Sequence, residues 1–191
     1  MKKKISVFGT ARSKEGDAMY RDARALGYAL AQEGYEVVTG GYGGAMEAVS
    51  RGSHEAGGRV YGVTMSAFTQ RIAPNPWIHH IEEMPNLLSR IERLLISDGF
   101  VAVDGGIGTL AEIAMAWNLL QIDPEFRKPL ILMGENWASI VAHFRRHLVT
   151  NENDYSWIDL AQGPEEVVRI LHTFWGEESG NPPRGGTSFF G

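Results

Sequence analysis

The amino-acid sequence predicts an α/β fold: a single-domain, doubly wound, Rossmann-like parallel sheet with helices on both faces. Short β-rich runs alternate regularly with segments of helical periodicity along the chain. Strand runs such as "FVAV" and "LILM" are apolar throughout, as expected for parallel strands that are covered on both faces. The 191 residues, 43% of them hydrophobic, suit one domain with a full core. We place this domain at residues 1–175.

In the first half of the chain, glycines and prolines separate the periodic segments. Ala23, Leu26 and Leu30 fall on one face of the first helix, and Gly34 ends it. A glycine pair closes the second helix, and two prolines mark the loop after the third strand. The predicted elements, in order, are strand 5–9, helix 18–34, strand 35–40, helix 44–58, strand 59–65, loop 66–76 and strand 77–84.

In the second half, five apolar residues keep helical spacing and predict a stripe that faces the core: Leu87, Leu88, Ile91, Leu94 and Leu95. The predicted elements, in order, are helix 86–97, strand 99–104, helix 109–122, strand 129–134, helix 137–148 and helix 164–175. Residues 176–191 are rich in glycine, proline and serine, which predicts a mobile C-terminal tail.

Composition and charge exclude several classes of function. The formal net charge of −5 gives no general attraction to nucleic acid or to an anionic membrane. The absence of cysteine excludes disulfides, thiolate metal sites and cysteine nucleophiles. No apolar run is long enough to span a bilayer, and the N-terminal apolar stretch is too short for a signal peptide. We therefore expect a cytoplasmic protein without nucleic-acid or membrane partners.

Glycine-rich turns follow three of the predicted strands. Because parallel strands end at one edge of a sheet, these turns should meet there. A helix start has unpaired N–H groups, and glycines allow an anion to approach them. The turns therefore predict one phosphate-binding site, whose candidate residues are Gly9, Thr10, Gly40, Gly41, Gly43, Gly44, Met46, Glu47, Asp104, Gly105, Gly106, Ile107, Gly108 and Thr109.

The same glycines permit a second interpretation. Residues 106–111 satisfy the dinucleotide pattern G-x-G-x-x-A, and Glu135 follows the next strand at a tolerable distance. Against this interpretation, the helix carries a charged group close to its start, which is an awkward neighbour for a pyrophosphate. A nicotinamide-dependent oxidoreductase is therefore the weaker alternative.

Glu112 is the only charged side chain between Ile107 and Ile122. A carboxylate in such apolar surroundings is desolvated, which raises its pKa and suits it to carry a proton near neutral pH. The alternative is structural, because Thr109 and Glu112 also satisfy the spacing of a capping box. On the preceding helix, Arg90 flanks the apolar stripe and Arg93 lies roughly opposite it. Arg90 is better placed to meet a phosphate or a carboxylate.

Histidines are the remaining candidates for a metal site. His79 and His80 are adjacent on a predicted strand, so their side chains point to opposite faces. His143 and His147 share a helix face, but the zinc-protease glutamate is missing between them. We assign these histidines structural roles and expect no metal.

Two long motifs resemble the LOG family, the cytokinin riboside 5'-monophosphate phosphoribohydrolases, whose bacterial relatives are often mislabelled as lysine decarboxylases. They are "TGGYGGAMEAVSRGSHEAGG" (39–58) and "SDGFVAVDGGIGTLAE" (97–112). The resemblance implies hydrolysis of the N-glycosidic bond of an AMP-like nucleotide, which releases free base and ribose 5-phosphate. It implies that Gly105, Gly106, Gly108 and Thr109 cradle the 5'-phosphate and that Glu112 is the catalytic carboxylate. It also implies that no cofactor is needed and that the protein is a homodimer.

The chain departs from the family pattern at two places. Asp104 replaces the signature proline, where its charge either weakens phosphate binding or turns away and binds a ribose hydroxyl. The family arginine of the preceding helix falls one position late, at Arg90, which remains the catalytic candidate with Arg93 as the fallback. These departures favour the alternative of a non-catalytic carrier or sensor that binds a nucleotide or the molybdenum cofactor.

Overall fold

The computed structural model describes residues 2–178, which form a seven-stranded sheet with all strands parallel. The strands are β1 (Lys4–Phe8), β2 (Glu36–Thr39), β3 (Val60–Met65), β4 (His80–Met84), β5 (Gly99–Ala102), β6 (Leu130–Met133) and β7 (Asp159–Ala161). Their order in the sheet is β4-β3-β2-β1-β5-β6-β7, so the predicted doubly wound α/β fold is confirmed.

Helices cover both faces of this sheet, and the sheet divides the hydrophobic core into two parts. The helices are α1 (Ala18–Gln32), α2 (Ala45–Glu55), α3 (Ser66–Thr69), α4 (Leu87–Leu95), α5 (Ile107–Ile122), α6 (Glu135–His147), a 3₁₀ helix (Glu152–Trp157) and α7 (Pro164–Glu178). Buried residues of α1, α2 and α7 pack on one face of the sheet, and those of α4, α5 and α6 pack on the other. Both faces of the apolar strands are thus covered, as expected for parallel sheets.

The direction of winding reverses at β1, which lies between β2 and β5. In folds of this type the ligand crevice opens at such a switch point, beyond the carboxyl ends of the strands. Two backbone hydrogen bonds join the turns that meet there. The Thr10 amide donates to the Asp104 carbonyl at 3.2 Å, and the Ala45 amide donates to the Thr10 carbonyl at 2.8 Å. The turns after β1, β2 and β5 therefore form one surface, as the sequence predicts.

The structure corrects several predicted elements. The predicted loop 66–76 contains the short helix α3, and β7 and the 3₁₀ helix have no predicted counterpart. Three residues are too few for β7 to show a strand pattern. Leu87 and Leu88 are exposed rather than part of a buried stripe. Helix α7 continues through Glu178, so residues 176–178 of the predicted tail are helical, and the rest of that prediction falls on residues 179–191, outside the described part of the chain.

Among residues 2–178, no helix combines the length and the apolar character that crossing a membrane requires.

Candidate functional site

Arg90 is buried at the carboxyl edge of the sheet, where it is 7% exposed and reaches the turn after β2. Arg90 lies in the first turn of α4. The Asn86 side chain caps this helix by accepting a hydrogen bond from the Ser89 amide at 2.9 Å, and this cap fixes the start of the helix next to Arg90. The guanidinium donates through Nε to the Val63 carbonyl at 2.8 Å and through Nη2 to the Gly40 carbonyl at 3.3 Å. These two hydrogen bonds fix the position of the guanidinium relative to β3 and to the turn after β2.

The third bond of Arg90 reaches Glu112. Nη1 donates to Glu112 Oε1 at 3.3 Å, and the carboxyl residue is 8% exposed. Burial raises the pKa of Glu112 from 4.5 to about 7, because desolvation penalises the charged form more than the charge and hydrogen bond of Arg90 favour it. The predicted desolvated carboxylate is confirmed, and near neutral pH it can accept or release a proton.

The capping-box alternative for Glu112 is wrong. Helix α5 begins at Ile107 with Gly106 as its N-cap, two residues earlier than predicted, so Thr109 is inside the helix. Thr109 is buried, and its hydroxyl lies 2.2 Å from the position that a Cβ on Gly105 would occupy. Gly105 is therefore required by packing, while Glu112 is free of a capping role and pairs with Arg90.

The start of α5 is open to solvent. Ile107 is 84% exposed, and a Cβ on Gly106 or Gly108 would have no atom within 4 Å. The first intrahelical bond runs from the Leu110 amide to the Gly106 carbonyl, so the preceding amides have no intrahelical acceptor. This helix start can hold an anion of about the size of a phosphate.

The turn after β2 is packed around Arg90 and the turn after β1. A Cβ on Gly40 would lie 1.9 Å from Arg90 Nη2 and 2.6 Å from Met46 Sδ. Gly44 has a φ of +71°, and a Cβ there would lie 2.4 Å from the Thr10 carbonyl oxygen. Gly40 and Gly44 therefore allow close packing against Arg90 and Thr10. Unlike the start of α5, this turn leaves no open space for an anion at these two glycines.

The remaining candidate residues are Gly41 and Gly43 of this turn and Glu47 in the first turn of α2. Gly41 has a φ of +83°, a conformation that side-chain-bearing residues rarely adopt. The nearest atom to a Cβ on Gly43 would be Glu47 Oε2 at 3.8 Å. Gly9, in the turn after β1, packs against Val103 and Ala45, since a Cβ there would lie within 3 Å of both. Gly9 and Gly41 thus have structural reasons to be glycine.

Arg93 lies apart from the Arg90–Glu112 pair. It makes a bidentate pair with Glu82 of β4, and this hydrogen bonding lowers the pKa of Glu82. Asp104 is half-buried, and its Oδ2 accepts from Asn136 Nδ2 at 3.2 Å. The Asp104 carboxylate is therefore turned toward the start of α6, although it remains next to the open start of α5.

Sequence reasoning missed Tyr42. Its hydroxyl accepts from the Met65 amide at 2.8 Å and donates to the Met65 carbonyl at 3.1 Å, and its ring lies 5.9 Å from Arg90 Cζ. The one available signal was an aromatic residue inside the glycine run "GGYGG". Within residues 2–178, no three histidine, aspartate or glutamate side chains are grouped closely enough to hold a metal ion.

The profile of the SLOG cluster4 family matches residues 2–167. A cytokinin riboside 5'-monophosphate phosphoribohydrolase, LOG of Oryza sativa subsp. japonica, is 31% identical to this chain over 138 residues. That alignment covers 69% of this chain and 55% of the rice protein, so the chain spans about half the length of this relative.

Two solved structures share the fold over nearly their whole length. A structural genomics target called TM1055 has a TM-score of 0.73 and 31% identity, with 91% of this chain and 99% of that chain covered. The molybdenum cofactor binding protein from Rippkaea orientalis has a TM-score of 0.74 and 24% identity, with 92% and 98% covered. At that identity the second likeness concerns the fold alone.

Proposed function

The chain belongs to the SLOG cluster4 family, and from this premise we propose that it hydrolyses the N-glycosidic bond of a nucleoside 5'-monophosphate. The products are a free base and ribose 5-phosphate, and AMP-like purine nucleotides are the proposed substrates. The observation that carries the proposal is the buried Arg90–Glu112 pair beside the open start of α5. The similarity to named phosphoribohydrolases supports the same chemistry.

Glu112 is the proposed catalytic residue. The bond between C1' and the base nitrogen breaks, and its electron pair leaves with the base. A water oxygen forms a new bond to C1', and the water gives its proton to the Glu112 carboxylate, which then passes it to the departing base. A fixed, desolvated carboxylate also stabilises the positive charge that develops at C1'. General base assistance of this kind contributes about 10²–10⁴-fold in rate.

Arg90 has a positioning role in this scheme. Its three hydrogen bonds hold the carboxylate of Glu112 relative to two strand ends. Its charge also opposes the effect of burial on the pKa of Glu112. The ionised carboxylate is therefore available at neutral pH in a site where burial alone would keep it protonated.

The start of α5 is the proposed phosphate site. The exposed Gly106 and Gly108 leave room for an anion to reach the unpaired amides, and the helix dipole favours negative charge there. Glu112 lies on the same helix, about one and a half turns further on. A 5'-phosphate bound at the helix start would thus bring the ribose close to this carboxylate.

The test is the release of adenine from AMP, measured by chromatography after incubation with the purified protein. Wild type should release adenine, and Glu112→Gln should lower the rate at least about 100-fold. Glu92→Gln is the matched control, because Glu92 is an exposed carboxylate on α4. The proposal is wrong if wild type releases no base from any nucleotide, or if Glu112→Gln is as active as the control.

Asp104 favours a second candidate function, a non-catalytic carrier or sensor. Its carboxylate lies beside the proposed phosphate site and opposes the binding of an anion. A molybdenum cofactor binding protein has the same fold. Mass spectrometry of ligands extracted from the purified protein tests this alternative. A co-purified pterin or intact nucleotide, without turnover of AMP, supports the carrier or sensor over the hydrolase.

We further propose that two copies of the chain pair through α5. This helix is apolar on nearly every side, and Ile107, Met115 and Ile122 are exposed along one face. Helices that are apolar all round are normally buried, and an isologous dimer would cover this face on both copies. Sedimentation should give a dimer at micromolar concentration, and Met115→Glu should give a monomer. A monomeric wild type would overturn this proposal.

A further inference from the structure

A tyrosine–phenylalanine pair lies next to the Arg90–Glu112 pair and takes no part in the proposed chemistry. The Tyr42 ring lies 5.9 Å from Arg90 Cζ and 5.9 Å from the centroid of the Phe68 ring, with an interplanar angle of 78° to that ring. Tyr42 is buried, whereas Phe68 is 43% exposed. An apolar ring is therefore presented to solvent at the carboxyl edge of the sheet.

The segment that carries Phe68 is tied to Tyr42 at both ends. Before α3, the Tyr42 hydroxyl is bonded to both backbone groups of Met65. After α3, Asn75 Nδ2 donates to the Tyr42 carbonyl at 3.0 Å, and the Asn75 amide donates to the Gly41 carbonyl at 2.9 Å. The segment 66–75 is thus anchored beside Tyr42 at both ends, and the Phe68 ring packs edge to face with the Tyr42 ring.

Phe68 lies at the same edge of the sheet as the proposed phosphate site. The phosphate site follows β5, and Phe68 follows β3, with β1 and β2 between these strands. Neighbouring strands lie about 4.8 Å apart, so β3 and β5 are about 14 Å apart across the sheet. Contacts connect the two sides of the site, since Arg90 donates to Glu112 of α5 and lies 5.9 Å from the Tyr42 ring. In the proposed binding mode, a ribose beside Glu112 would direct its base toward Phe68.

We propose that Phe68 stacks on the base and makes the site specific for nucleotides with a planar aromatic base. This inference rests on the proposed function and names the residue that selects its substrate class. Aromatic rings bind bases through their faces and tolerate different base identities. The site would therefore accept several bases and discriminate against sugar phosphates that have none.

The test compares a ligand with a base and a ligand without one. Phe68→Ala should raise the KM for AMP about 5- to 140-fold, because base stacking is worth about 1–3 kcal/mol. The affinity for ribose 5-phosphate, measured by calorimetry, should stay within twofold of wild type. Phe68→Trp keeps an aromatic ring at this position, so its KM for AMP should be close to that of wild type. Val149→Ala removes an exposed apolar side chain after α6, outside the site and outside α5, and should change neither value.

Three outcomes overturn the inference. An unchanged KM for AMP in Phe68→Ala refutes stacking while the hydrolase proposal stands, since adenine release by wild type is measured in the same series. Equal losses for AMP and ribose 5-phosphate, with a lowered melting temperature, assign Phe68 a structural role only. If wild type neither cleaves nor binds AMP, the hydrolase proposal fails together with this inference.

Discussion

Glu112→Gln is expected to make the protein more stable above pH 7 while it removes activity. The pKa of Glu112 is about 7 in the folded protein and 4.5 as the ordinary value, so the folded state binds more protons than the unfolded state between these values. The stability of wild type therefore falls as the pH rises from 4.5 through 7. At 1.36 kcal/mol per pKa unit, ionised Glu112 costs about 3 kcal/mol above pH 7.

Glutamine resembles the protonated acid and avoids this cost. Urea unfolding of wild type and Glu112→Gln should show a gain in the free energy of unfolding of under about 1 kcal/mol at pH 5 and of about 3 kcal/mol at pH 8. For a chain of 191 residues, the latter corresponds to a rise in Tm of about 6–12 °C.

Glu92→Gln, which replaces an exposed carboxylate on α4, should leave the free energy of unfolding within about 0.5 kcal/mol at both pH values. The reasoning is refuted if Glu112→Gln gains nothing at pH 8, or gains the same amount at pH 5. Either result would mean that the Glu112 carboxylate is not desolvated in the folded protein.

Three further predictions concern the surroundings of Glu112. Arg90→Met should raise the pKa of Glu112 further, because the charge of Arg90 favours the ionised carboxylate. In a pH–rate profile, the rise of activity with pH should therefore move above pH 7. An unchanged profile would show that Arg90 does not influence the pKa of Glu112. Gly40→Ala should lower the free energy of unfolding by about 1–3 kcal/mol, because its Cβ would meet the Arg90 guanidinium. Gly43→Ala, whose Cβ would meet no atom closer than 3.8 Å, should lower the free energy of unfolding less. Urea titrations measure both values. Asp104→Asn should lower the KM for AMP about two- to fivefold by removing a negative charge beside the proposed phosphate site, and a raised KM would instead indicate that Asp104 binds the ribose.

The alternation of apolar strands and helices was enough to predict the layers of this fold. Parallel strands that are covered on both faces leave a clear signal, since every residue in a run such as "LILM" must be apolar. β7 leaves no such signal, because it has three residues and lies at the edge of the sheet. The exposure of Leu88 was not predictable, because helical spacing alone does not reveal which side of an apolar helix meets another molecule.

The candidate site was partly predictable for a similar reason. Glu112 stands out because a single acid in an apolar helix must be desolvated, and the structure confirms this. The sequence already favours Arg90 over Arg93, because Arg90 flanks the apolar stripe of α4. That Arg90 pairs with Glu112 and Arg93 with Glu82 depends on the angle at which α4 packs, which requires coordinates. Tyr42 was missed because its role depends on a loop that closes around its ring, and loop conformation has no periodic pattern.

The central claim is that Glu112 acts as a desolvated base in nucleotide hydrolysis. The most direct test is kcat/KM for adenine release from AMP, measured from pH 5 to pH 9 for wild type and Glu112→Gln. We predict that the wild-type value rises with pH through an apparent pKa of about 7, and that the variant is at least about 100-fold slower. A flat wild-type profile, or a variant with wild-type rates, would contradict the account.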